Sequence, residues 1–172
     1  PTVTEVVREF ALHETAEDTR NKLEAIVEED EKLKITAIGH LREELDLPTF
    51  KKAWARVILR HPALRCGFRW QGLSRPVQDV HREILPPFEE YDWSALSANE
   101  RDVRLSNLLR EDRLRGFKLD EPPLMRFCVL RLGTSEIRIL WTFHHALADG
   151  RSHPIVIREV FECYEALRSG RE

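Results

Sequence analysis

The chain has 172 residues, 42% hydrophobic and 33% charged, with 27 basic against 30 acidic side chains and a net charge of −3. That length allows one domain with its own core. The composition excludes a disordered chain, and the near balance of scattered charges excludes an electrostatic footprint for nucleic acid. No apolar run reaches the roughly 20 residues of a membrane helix, and the start PTVTEVVREF lacks the basic and apolar regions of a secretory signal. Three widely spaced cysteines, Cys66, Cys128 and Cys163, predict buried thiols in a reducing, cytoplasmic setting, with neither a disulfide frame nor a zinc cluster.

In chain order, residues 1–31 read as a charged helical segment, with Val3, Val6, Val7 and Phe10 at helical spacing. KLKITAIGHL (32–41) alternates as a strand. A helix follows from Asp46 as cap, or from Leu47 ahead of Pro48, and buries Phe50, Ala53, Trp54, Val57 and Ile58 on one face. His61-Pro62 ends it, because a residue before proline disfavours the helical region. ALRCGFRW (63–70) and RPVQDVH (75–81) read as strands around a turn at Gly72, and Pro86-Pro87 open a loop. Ser97 and Glu100 form a capping-box pattern for a helix to Arg115, which Gly116 stops. Residues 123–133 and 135–145 read as a hairpin around Gly133-Thr134-Ser135, and SHPIVIREVFECYEALRSG as a last helix. Helices and strands alternate irregularly, which predicts an α/β or α+β class with a mixed β-sheet flanked by helices.

The segment TFHHALADG (142–150) sits where the last strand turns toward the last helix. Side chains at such a junction are held by the scaffold yet stay reachable. Histidine titrates near neutrality, so one imidazole there can take a proton from a nucleophile and return it. Adjacent strand residues point to opposite faces, so His144 and His145 are not expected to share a metal ion, and no metal site is predicted. Asp149 and Gly150 close the turn.

HHALADG resembles the HHxxxDG signature of the condensation domains of nonribosomal peptide synthetases, shared with the wider chloramphenicol-acetyltransferase-like superfamily. RHPALRCGF (60–68) resembles the family's RHxxLRxxF segment, and GFKLDEPPLMRFCVLRL (116–132) resembles its GFdLxxxPLxR segment with the strand after it. The three occur in the family's order. Arg151 stands where the family has Trp or Val, and the family's S-x-A-Q-x-R segment is not recognisable in residues 1–31.

The resemblance implies one half of a two-lobed fold with the site in a tunnel between similar lobes: residues 32–172 would be the N-terminal lobe, and the C-terminal lobe would be absent. It implies an acyltransferase that joins a carrier-protein thioester donor to an amine or hydroxyl acceptor, forming an amide or ester. No cofactor would be bound by the chain itself; the acyl substrate would arrive tethered to phosphopantetheine or CoA. His145 matches the residue that acts as general base or positions the proton, and His144 matches an inward-packed structural residue. Asp149 matches a residue that pairs with an arginine, for which Arg65 and Arg60 are both candidates; Gly150 matches the turn glycine. The expected partners are a carrier protein, the missing lobe, and a second copy through an exposed lobe face, with no nucleic acid and no membrane. The isolated chain is expected to be inactive. A CoA-dependent acyltransferase and a non-catalytic module that docks carrier proteins are the alternatives.

Overall fold

The computed structural model describes residues 34–148 and 152–171 and, before them, Glu17 alone. The expected helical segment over 1–31 therefore falls almost wholly outside the described residues. The elements run β1 (Lys34–Leu41), α1 (Leu47–Arg60), a 3-10 turn (Pro62–Arg65), β2 (Cys66–Arg69), β3 (Val77–Val80), β4 (Phe88–Asp92), α2 (Ala98–Arg115), β5 (Met125–Arg131), β6 (Ile137–His144) and α3 (Ser152–Arg168). A four-stranded sheet has the order β1-β6-β5-β4, and β2-β3 forms a separate two-stranded sheet. β6 is antiparallel to both β1 and β5, whereas β4 runs parallel to β5, so the main sheet is mixed as expected.

Asp46 is the cap of α1: its carboxylate accepts from the Thr49 N–H at 3.3 Å, with Pro48 in the first turn. The apolar face of α1 lies on the sheet and on α3. Trp54 meets Phe127 and Trp141, with ring centroids 4.4 and 4.9 Å away, and Phe50 meets Tyr164 at 5.9 Å. The Tyr164 hydroxyl also accepts from the Asp46 N–H at 3.0 Å, tying the end of α3 to the start of α1. α2 covers the opposite face over a smaller core of Trp93, Leu130, Leu132 and Leu140. Because β6 is covered on both faces, all of ILWTFH is buried, and only Thr142 and His144 interrupt its apolar run.

Three expectations need correction. Residues 62–65 form a 3-10 turn, so the strand expected over 63–70 begins only at Cys66. Pro62 fixes the first position of that turn, and the Arg65 guanidinium holds it by donating to the Ile58 and Leu59 carbonyls at 3.2 and 3.3 Å. The loop opened by Pro86-Pro87 gives way at once to β4, which pairs with β5 from Phe88↔Phe127 onward. Parallel neighbours need a crossover, and α2 supplies it. Finally, the last strand ends at His144, not His145. As expected, Ser97 and Glu100 cap α2 reciprocally; at its other end Gly116 has φ 63°, a left-handed value that a side chain would strain.

Candidate active site

The register of β5 and β6 decides where the two histidines go. Arg126 lies opposite Thr142, and the His144 N–H donates to the Leu124 carbonyl at 2.9 Å. His144 thus shares the α2 face with Arg126 and Thr142, two residues apart along the pleat. Its side chain is buried, and its ring meets Phe117 edge to face, at 6.4 Å and 89°. The next residue leaves the ladder, and His145 stands exposed in the turn.

The turn gives the two imidazoles opposite tautomers. The Ala146 N–H donates to His144 Nδ1 at 3.1 Å, so that nitrogen is bare and the proton of the neutral ring is on Nε2. His145 Nδ1 lies 2.9 Å from the Ala148 carbonyl, which can only accept, so Nδ1 carries the proton and Nε2 keeps the lone pair. The Leu147 N–H donates to the His144 carbonyl at 3.0 Å and closes the turn, while Leu147 and Ala148 are buried beneath it. The outcome is one inward, structural imidazole and one outward imidazole whose exposed nitrogen can accept a proton.

Asp149 and Gly150 lie outside the described residues. Of the two candidate arginine partners, Arg60 donates to Glu159 at 3.0 Å, an acceptor it shares with His61. Arg65 spends its guanidinium on main-chain carbonyls, those of α1 and those of His81 and Arg82. Neither of those groupings touches His145. His153, in the first turn of α3, packs against Phe143 with ring centroids 6.2 Å apart.

Sequence alone assigns no role to the cluster beside His144. Arg126 is 7% exposed and threads three acceptors: the Asp112 carboxylate at 2.5 Å, the Asp112 carbonyl at 2.6 Å and the Gly116 carbonyl at 2.9 Å. Its guanidinium carbon lies 4.2 Å from the centre of the Phe117 ring. The available signal was a lone arginine inside the apolar run MRFCVL, since a buried charge demands a partner.

A mixed sheet with α1 and α3 on one face, α2 on the other and a histidine turn at the end of β6 is a lobe of the chloramphenicol-acetyltransferase-like fold. The first condensation domain of the calcium-dependent antibiotic synthetase, solved with a substrate analogue, superposes with a TM-score of 0.79 at 18% identity, over 98% of this chain and 41% of that one. SgcC5 from Streptomyces globisporus superposes with a TM-score of 0.70 at 25% identity, over 80% of this chain and 31% of that one. The Condensation domain family model matches residues 22–172. A linear gramicidin synthase of Brevibacillus parabrevis is 41% identical over 140 residues, and chondramide synthase cmdD of Chondromyces crocatus is 36% identical over 129. The chain belongs to the condensation-domain family of nonribosomal peptide synthetases. Those two matches cover 81% and 75% of this chain but only 2% of the gramicidin synthase and 3% of the chondramide synthase.

Proposed function

We propose that this chain is the first lobe of a two-lobed condensation domain that transfers an acyl group from a carrier-protein phosphopantetheine thioester to an amine, forming an amide. The observation that carries this is the exposed His145 with its proton fixed on Nδ1 by Ala148 and its lone pair on Nε2. As the acceptor nitrogen attacks the thioester carbonyl, a C–N bond forms and the C–S bond breaks. His145 Nε2 can take the proton the nitrogen sheds and hand it to the departing sulfur, leaving an amide and a free thiol. A hydroxyl acceptor would give an ester by the same route. His144 shapes the turn by accepting from the Ala146 N–H; the family resemblance gives Asp149 the arginine-pairing role and Gly150 that of the turn glycine. Most of the rate enhancement comes from holding two tethered substrates together, which needs the wall supplied by a second lobe. The 172 residues alone therefore fold without turning over. No described helix is long and apolar enough to cross a membrane.

Single-turnover transfer in the two-lobed protein tests the reading. His145→Ala lowers transfer from a carrier-bound donor on the order of 10²-fold or more. It leaves the melting temperature nearly unchanged, because an exposed ring has little packing to lose. Transfer from a CoA donor in preference to the carrier would replace the carrier with CoA. Full activity in His145→Ala would overturn the catalytic reading in favour of a carrier-docking module.

A further inference from the structure

We propose that Phe117 is a positioning residue for His145, clamped by Arg126 and acting through the ring of His144. This rests on the role proposed for His145 and adds what holds its reactive nitrogen outward. Gly116 lets the chain leave α2 at a left-handed φ and places Phe117 directly on the sheet. The Gly116 carbonyl accepts from Arg126, so the backbone before Phe117 is tied to β5, and the guanidinium covers the ring face. Asp112 holds the guanidinium by both its carboxylate and its carbonyl.

The edge-on contact then fixes the plane of the His144 ring. That plane matters because rotation of the imidazole out of it would swing Nδ1 away from the Ala146 N–H. The Ala146 N–H would lose its acceptor, and the turn that brings the Ala148 carbonyl to His145 Nδ1 would loosen. His145 would revert to the tautomer that free histidine prefers, with the proton on Nε2, and the outward nitrogen would no longer be a base. The clamp thus sets a protonation pattern at the site without touching a substrate.

The test uses this chain with ¹⁵N-labelled histidine and reads the ring nitrogens of His145 at a pH where the imidazole is neutral, with the signal assigned by its loss in His145→Gln. Wild type shows mainly the Nδ1-protonated form. Phe117→Leu keeps apolar bulk but loses the ring edge, and shifts the tautomer ratio toward Nε2–H about five- to tenfold, the size of one edge-to-face contact. Phe117→Tyr keeps the edge and retains the wild-type ratio. Arg126→Lys keeps the charge but loses the fork, and shifts the ratio in the same direction as Phe117→Leu. A wild-type ratio in folded Phe117→Leu overturns the proposal; if that variant does not fold, a wild-type ratio in Arg126→Lys does so. A wild type dominated by the Nε2-protonated form overturns it as well. Loss of acyl transfer in the two-lobed protein plays no part in this readout, so the proposed reaction can fail while the clamp stands.

Discussion

Removing the carboxylate of Asp112 should be among the most damaging single changes in this lobe. The Arg126 side chain is 8% exposed and that of Asp112 17%, so the ion pair is largely shielded from water. Breaking a buried pair from one side costs about 3–5 kcal/mol, because the remaining charge stays desolvated without its partner. In Asp112→Ala the guanidinium keeps two carbonyl acceptors, at 2.6 and 2.9 Å, and the face of Phe117. Those contacts place the loss at the low end, about 3 kcal/mol. For a chain of this size each kcal/mol moves the melting temperature by about 2–4 °C, which gives a drop of about 6–12 °C. Circular dichroism melts and urea titrations of the two proteins measure it. The double variant Asp112→Leu with Arg126→Met removes both charges at similar volume and should recover most of the loss, since a buried pair contributes little net stability over an apolar replacement. A single variant within about 0.5 kcal/mol of wild type, the scatter of ordinary surface substitutions, would refute the reasoning. So would a double variant as unstable as the single one.

A Cβ on Gly67 would lie 2.9 Å from the Pro122 ring, so Gly67→Ala should cost about 1–3 kcal/mol in urea titration; an unchanged midpoint would mean that the 119–122 loop yields freely. Burial, helped by the charges of Glu89 and Asp112, pushes the Cys128 thiol up to about 12. At pH 8, alkylation of Cys128 mapped by mass spectrometry should be on the order of 10³-fold slower in the native chain than in urea, because so little thiolate exists. Hydrogen bonds from His61 and then Arg60 hold the Glu159 carboxyl below its ordinary value of 4.5. A depressed carboxyl contributes stability fully above that ordinary value and loses it as pH falls through the lowered folded value. Glu159→Gln should therefore melt lower than wild type at pH 6, with the gap closing as the pH drops below about 4; a gap independent of pH would count against the pairing.

The sequence by itself determined what depends on near neighbours in the chain. Phe50, Ala53, Trp54, Val57 and Ile58 declare α1 because side chains three and four apart share a helix face. Asp46 and the Ser97–Glu100 pair declare helix starts because a capping bond closes within a few residues. The hairpin of β5 and β6 follows from its short connection. FEEYD carries no such signal: four of its five residues are polar or aromatic with a polar tip, and β4 exists because its backbone pairs with β5 across the α2 crossover. The partners of Arg60 and Arg65 were equally out of reach, since Glu159 and the His81 carbonyl lie 99 and 16 residues away. The resemblance of HHALADG to the family signature already implied an inward His144 and a reactive His145; what the tertiary structure added is the set of contacts that makes the two side chains differ. The end of the ladder at His144, the Phe117 ring against it and the carbonyl of Ala148 leave one imidazole buried and accepting at Nδ1, and the other exposed with its Nδ1 facing a carbonyl. Those contacts are made by groups that the fold alone brings within hydrogen-bonding distance, at the right orientation, and directionality is what a hydrogen bond needs and a linear pattern does not carry.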